Sequence, residues 1–273
     1  GSKHEYSNSN YILLTYILEK VWKKNYPDLL DQYICRPLKL EQTTFGAPQN
    51  AIKDRSESYK FLHEWAVEPH TDSSVPLGAG AIWSTSVDLV KFFNGLFSLK
   101  LITSSSLEEM KKIDSGYGMG LFQMPFYEQQ GFGHSGGIDG YSSLAAHFDA
   151  DNYNVALISN GNNFNNNEIL KFSLGELYKK PFPIPDFSMV QLTNEEIESI
   201  IGAYKSEQPP IQINITKDGN KILGQVVGQP AFQLLPKDKD TLVQPQFGVK
   251  IIFDRKENKM TLHQNGHTLI LKK

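Results

Sequence analysis

Apolar residues Tyr11, Leu14, Leu18, Val21 and Trp22 recur at helical spacing and predict a helix over about residues 10–24. Asn8 or Ser9 stands where its N-cap belongs, so Tyr6 and Asn8 are expected on the loop that enters it. Pro27 opens a second, shorter helix with Leu29, Leu30, Tyr33 and Ile34 facing inward, and Pro37 is expected to end it. The pattern then lapses over residues 41–80, which carry Pro48, Pro69, Pro76 and the polar run Thr71-Asp72-Ser73-Ser74. A loop-rich stretch of that length is often functional. Its aromatic residues Tyr59, Phe61 and Trp65 read first as packing beneath a loop and second as lining a cleft. Ser84 or Thr85 then caps a helix bearing Leu89, Phe92, Phe93 and Leu96; Thr85-x-x-Asp88 has capping-box spacing with Asp in place of Glu. Ser105-x-x-Glu108 and Ser106-x-x-Glu109 predict a short helix to Lys112.

A strand-rich block follows at residues 117–122, 131–133, 142–148 and 155–159, with Asp149-Ala150-Asp151-Asn152 as a hairpin turn. These runs read as a mostly antiparallel sheet. Ile169, Leu170, Leu174, Leu177 and Tyr178 mark one more helix. Lys180-Pro181-Phe182-Pro183-Ile184-Pro185 is the clearest boundary, because alternating prolines favour an extended, semi-rigid linker. Beyond it Thr193-x-x-Glu196 starts a short helix ending at Gly202. Strand-like runs follow at 211–216, 221–227, 231–235, 241–244, 249–253, 259–263 and 267–271, with hairpin turns at Asp218-Gly219 and Asn265-Gly266. The pattern predicts an α+β chain in three parts: residues 1–180, a linker at 181–190, and a small all-β barrel or sandwich at 191–273.

Composition narrows the function. The 273 residues are 40% hydrophobic and 21% charged, with 27 basic and 30 acidic side chains and a net charge of −3. That balance leaves no basic footprint for nucleic acid and no polybasic membrane patch. No apolar run approaches the ~18–20 residues of a membrane span, and no signal peptide is visible. Cys35 is single and reads as a small buried residue. The seven histidines and that cysteine show no zinc-site spacing, so neither metal nor cofactor is expected. His263 and His267 read as surface residues flanking a hairpin.

The densest chemistry lies in Gly133-His134-Ser135-Gly136-Gly137-Ile138-Asp139-Gly140, where four of eight residues are glycine. Glycine removes side chains where a backbone or ligand comes close, and a histidine and a serine sit among the bare positions. Three other stretches accompany it in order: Tyr6-Ser7-Asn8, Leu77-Gly78-Ala79-Gly80-Ala81-Ile82-Trp83-Ser84-Thr85, and Tyr117-Gly118-Met119-Gly120-Leu121. Taken together they resemble the serine β-lactamase and penicillin-binding-protein superfamily, closest to its class C β-lactamase and D-alanyl-D-alanine carboxypeptidase branch. The resemblance covers about residues 1–180. Tyr6-Ser7-Asn8 matches the family's Tyr-x-Asn motif, and His134-Ser135-Gly136 matches a His-x-Gly variant of its Lys-Thr-Gly motif. The Ser-x-x-Lys motif that carries the nucleophile is absent, since no serine or threonine has lysine three positions on. Family members place it well upstream of Tyr-x-Asn, so the chain is expected to be the C-terminal portion of a longer protein. The β-rich tail resembles an appendage found behind some β-lactamase-like domains.

The resemblance implies acyl transfer through a serine ester on β-lactam, D-Ala-D-Ala-type peptide or ester substrates. Tyr6 is then the proton shuttle; a phenol does that work only where neighbouring cations favour its anion. Asn8 holds the absent lysine and a substrate carbonyl. His134 orients Tyr6 or a substrate carboxylate, Gly137 supplies an oxyanion-hole N–H, and Ser135 and Gly136 contact the substrate. The implied partners are a small-molecule or peptide substrate and the missing N-terminal segment. The implied location is periplasmic or secreted. An esterase or D-aminopeptidase of the same superfamily shares these motifs, and a non-catalytic binding or sensor protein reusing the cleft is the rival from another class.

Overall fold

Ser7, in extended backbone, is the N-cap of α1 (Asn8–Trp22), so Asn8 is the first helical residue and not part of the entering loop. The helix begins before its apolar pattern does because the Ser7 carbonyl already accepts from Asn10 N at 3.2 Å. The fold is taken from a computed structural model that describes residues 4–46, 55–61, 64–182, 188–264 and 267–273. The predicted turn at Asn265-Gly266 and most of the proline-rich linker lie outside the described residues.

Asn25 caps α2 (Tyr26–Leu30) by accepting from Asp28 N at 2.9 Å. Pro37 does not stop the chain there. The helix passes through a π turn at Asp31–Cys35 into α3 (Arg36–Leu38), whose first turn holds Pro37. Pro37 therefore lies within one continuous helical run, directly after the π turn; Lys39, at φ 55°, ends the helix instead. Cys35 is buried with Leu30 and Leu40.

Residues 41–80 contain short elements: β1 (Thr44–Phe45), β2 (Tyr59–Phe61), β3 (Trp65–Val67) and a 3-10 turn at Leu77–Ala79. That turn packs on α1, where a Cβ on Gly78 would fall 2.2 Å from Thr15 Oγ1. β4 (Ile82–Trp83) pairs with β1. Thr85 caps α4 (Ser86–Phe97), accepting from Asp88 N at 3.2 Å. The predicted capping box is not completed. The buried Asp88 carboxylate turns to Gln42 N at 2.8 Å, Thr43 Oγ1 at 3.0 Å and Lys91 Nζ at 3.2 Å, and so ties α4 to residues 42–43. Thr103, not Ser105 or Ser106, caps α5 (Ser104–Met110).

The sheet is antiparallel, in the order β5 (Phe122–Phe126), β6 (Gln129–Ile138), β7 (Tyr141–Phe148), β8 (Tyr153–Ser159). α4 packs on β7 and β8 over a core of Phe93, Leu121, Phe132 and Ala145. Residues 117–121 form a loop and not the predicted strand, because Gly116 and Gly120 adopt positive φ.

Contacts gather the chain into two compact units, Gly1–Lys60 with Val67–Gly161, and Phe61–Ala66 with Asn162–Lys273. The second holds α6 (Asn166–Tyr178) and α7 (Asn194–Ile200), the latter with a complete Thr193/Glu196 capping box. It also holds a closed barrel of eight antiparallel strands. The strands are β9 (Gly202–Glu207), β10 (Pro210–Asp218), β11 (Lys221–Val226), β12 (Phe232–Pro236), β13 (Thr241–Gln244), β14 (Val249–Asp254), β15 (Lys259–Gln264) and β16 (His267–Lys272). Alternate residues such as Ile213, Ile215, Ile222, Leu242, Ile251 and Met260 fill the interior, and α7 adds Ile197 and Ile200. A barrel of this strand number is just wide enough for side chains to fill. β9 escapes the sequence pattern because Tyr204 is its one large apolar residue; its pairing with β10 and β16 makes it a strand.

His147 on β7 is buried, stacked on Phe97 at 4.0 Å, with Nδ1 3.0 Å from Asn154 Oδ1 and Nε2 3.4 Å from Asp149, which also pairs with Lys111. Burial holds its pKa below the usual 6.5, outweighing Asn154 and Asp149, which favour the charged ring. The unfolded chain therefore takes up this proton first as pH falls. The stability that His147 contributes is present above the unfolded value and declines through pH 6.5 towards the lower folded one. Scanning calorimetry from pH 7.5 to 5 should show a smaller drop in Tm for His147→Gln than for the parent; parallel curves would refute this.

Candidate active site

The glycine-rich stretch is a strand, and its glycines divide into two kinds. Gly133 is buried; a Cβ there would lie 2.2 Å from Ala145 O, so β7 passes too close for any side chain. Gly140, at φ +87°, turns the hairpin, and a Cβ would lie 2.7 Å from Tyr59 O. Those two serve the protein's own backbone. Gly136 and Gly137 are exposed. A Cβ on Gly136 would meet only the movable Ser143 hydroxyl, at 2.7 Å, and one on Gly137 has ordinary contact at 3.8 Å.

The pairing explains why they are exposed. β7 pairs with β6 from Gly131 to Ile138. β5 pairs with it from Gln129 only as far as Gly133. From His134 onward, among the described residues, β6 has a free edge. Its peptide groups point to where an extended ligand backbone would add as a strand.

His134 sits where the β5 pairing stops. Its Nδ1 lies 2.5 Å from the Ser135 carbonyl oxygen. A carbonyl only accepts, so Nδ1 carries a proton. The ring lies 5.0 Å from Phe122 and 6.5 Å from Tyr117. Tyr117 in turn lies 5.9 Å from Tyr6 and 4.6 Å from His4. A ladder of rings thus runs from Tyr6 through Tyr117 to His134, joining two motifs about 130 residues apart at the mouth of the free edge. Tyr117 was not among the expected site residues. Its signal was the Tyr-Gly-x-Gly segment; a Cβ on Gly118 would fall 2.1 Å from Met110 O, so that loop is held tightly. Asn8 is exposed in the first turn of α1 and stands outside the ladder. Ser135 is exposed on β6, beside Gly136.

The far end of the free edge is walled by Arg55, Ser56, Tyr59 and Thr71. Thr71 donates from N (2.7 Å) and Oγ1 (2.6 Å) to the Asp139 carboxylate, and the Tyr141 hydroxyl donates to Ser56 O at 2.5 Å. Arg55 lies 4.5 Å over the Trp83 ring, which meets Tyr141 edge-on at 5.2 Å. Burial pushes the Tyr141 phenol pKa up. Of the three aromatic residues whose second reading was a cleft lining, Tyr59 lies at this end; Trp83 and Tyr141 do the rest. Among the described residues no cluster of His, Cys, Asp and Glu could hold a metal.

A family model described as β-lactamase matches residues 1–177. The chain belongs to the β-lactamase family. Penicillin-binding protein 4* of Bacillus subtilis is 23% identical to it, over 91% of this chain and 61% of that protein. The octameric penicillin-binding protein homologue of Pyrococcus abyssi has the same fold, with a TM-score of 0.59, 21% identity, and coverage of 99% of this chain and 65% of that one. The D-amino acid amidase of Ochrobactrum anthropi, solved with L-phenylalanine, gives a TM-score of 0.55 and 25% identity over 65% of this chain and 60% of that one. The chain therefore spans about three-fifths of the length of these relatives. No described helix is long and apolar enough to cross a membrane.

Within this β-lactamase-family chain, the ring contact at 5.9 Å leads us to expect that Tyr117 positions Tyr6. Tyr117→Ala should raise amide hydrogen exchange at residues 8–10 several-fold while Tyr117→Phe leaves it unchanged. Equal exchange in both variants would show that the ladder does no positioning.

Proposed function

We propose that this chain is the C-terminal portion of a serine hydrolase that works through an acyl-enzyme, with its nucleophile on an upstream Ser-x-x-Lys segment. The observation that carries the reading is the ring ladder Tyr6–Tyr117–His134 at the head of the unpaired stretch of β6. In the proposed reaction the substrate lies along residues 134–137 as an added strand. The upstream serine attacks its carbonyl carbon; the serine proton passes to the upstream lysine and Tyr6, and then to the leaving group. The oxyanion accepts from Gly137 N–H, and Asn8 holds the lysine and the substrate carbonyl. His134 orients Tyr6 or a substrate carboxylate, and Ser135 and Gly136 contact the substrate. Water then releases the acyl group.

The substrate class proposed is an acyl donor with a D-configured centre: a β-lactam, a D-Ala-D-Ala-type peptide, or an amide or ester of a D-amino acid. Support comes from the amidase, whose name specifies D-amino acids, and from the penicillin-binding relatives. The proposed location is the periplasm or outside the cell. The proposed division is a catalytic part at 1–180, a linker at 181–190 and the barrel part at 191–273. A binding or sensor role for the same cleft is the alternative if the upstream segment lacks Ser-x-x-Lys.

The test compares this chain with the longer gene product on a fluorescent penicillin, D-alanyl-D-alanine peptides and D-amino acid amides. The short chain should turn over none of them, and the longer protein should form a serine adduct visible by intact mass. Gly137→Pro in the longer protein, which removes one oxyanion donor, should cost roughly 3 kcal/mol of transition-state stabilisation, or about a hundredfold in kcat/KM. Turnover by the short chain would overturn the assignment of the nucleophile.

A further inference from the structure

Arg55 is a half-buried cation with no counter-ion. Its guanidinium lies over the Trp83 ring at 4.5 Å, and its Nε is buried and donates no hydrogen bond. Among the described residues no carboxylate pairs with it. Two carboxylates of the same wall are engaged elsewhere: Asp139 accepts from Thr71 Oγ1 at 2.6 Å, and Glu57 lies 3.4 Å from His70 Nε2. The guanidinium stands close enough to the Tyr141 hydroxyl to favour its charged form, although burial has the larger effect there. That hydroxyl donates to Ser56 O. A buried N–H left unpaired costs free energy and calls for a partner. A guanidinium stacked on an aromatic ring by one face keeps its edge open, and that edge matches a planar oxyanion with two parallel hydrogen bonds.

We propose that Arg55 is a specificity residue at the acyl end of the substrate, and that it takes a side-chain carboxylate there. The proposal rests on the reading above and deepens it. In that reading the leaving group receives its proton from Tyr6, at the His134 end, and the scissile carbonyl sits at Gly137. The acyl part then runs on past Ile138, which is one step beyond Gly137, about 3.3 Å along the strand. Tyr141 is opposite Ile138 in register, and Trp83, beneath Arg55, meets Tyr141 edge-on at 5.2 Å. The second acyl residue, counted from the scissile bond, is therefore the one that meets the Arg55 end. Charge selects a carboxylate over a phosphate. One uncompensated cation suits one negative charge, whereas a phosphate monoester carries nearly two, and Glu57 would repel the second.

Two paired measurements test this. The longer gene product is given peptides ending in D-alanyl-D-alanine that carry either glutamate or glutamine just before those two residues. Its kcat/KM should favour the glutamate peptide roughly tenfold or more, and Arg55→Gln should bring the ratio to about one. Equal losses on both peptides would mean that Arg55 only supports the wall, and would overturn the proposal. The second measurement needs no turnover. In this chain the Trp83 indole N–H resonance, assigned with Trp83→Phe, should move on titration with the α-amide of N-acetylglutamate and stay in place with the α-amide of N-acetylglutamine. Arg55→Gln should abolish the movement. Equal movement with both compounds, or none with either, would overturn the proposal. A glutamate-specific shift without turnover by the longer protein keeps the carboxylate site and removes the hydrolase reading. Turnover with neither a preference nor a shift removes the site alone.

Discussion

The arrangement depends on one mismatch of strand length. β6 runs for ten residues, from Gln129 to Ile138, and β5 follows it for half of that. Had β5 continued, the peptide groups after His134 would be satisfied within the sheet and nothing could be added there. β7 pairs along the other side as far as Ile138, so the free edge is held straight although one of its sides is open. An unpaired edge invites aggregation in most proteins. Here it is short, its open residues include two glycines, and it is closed at both ends, by the aromatic ladder and by Arg55, Ser56, Tyr59 and Thr71.

Those two ends differ chemically. The near end gathers Tyr6, Tyr117 and His134, groups that move protons or accept hydrogen bonds, beside exposed backbone. The far end is fastened by Asp139 to Thr71 and by Tyr141 to Ser56, with Arg55 stacked on Trp83. Asp139 adopts positive φ at 52°, and its carboxylate is committed to the loop wall. The hairpin turn therefore sets where the wall stands relative to Gly136 and Gly137. The barrel in the second unit has a different character, an interior filled by branched aliphatic side chains, and it contributes stability without a recognisable constellation of reactive groups among the described residues.

Most elements were legible from local pattern. The α1 periodicity, the Thr85 and Thr193 caps, the Asp149–Asn152 turn and seven of the barrel strands follow from side-chain spacing and turn chemistry, which act over a few residues. The failures have local causes too. Pro37 looked like a stop because proline usually breaks a helix, and the π turn that precedes it here has no local signature. Residues 117–121 looked like a strand because an apolar–glycine alternation imitates period two. Asp88 looked like the second half of a capping box, and only the approach of Gln42 and Thr43 drew its carboxylate elsewhere.

For the site, the motifs Tyr6-Ser7-Asn8 and His134-Ser135-Gly136 and the glycine density were visible in the order of residues, and so was the absence of Ser-x-x-Lys. What each glycine does was not. Gly133 and Gly140 accommodate β7 and Tyr59, whereas Gly136 and Gly137 remain open, and that distinction exists only once the strands are side by side. Tyr117 became a site residue only when its loop was folded between Tyr6 and His134. The sequence by itself determined which reactive groups this chain owns, because those are properties of side chains. Which of them meet, and where the backbone stays bare, was decided by tertiary structure, because pairing register and ring contacts join residues about 130 positions apart that no local pattern can relate.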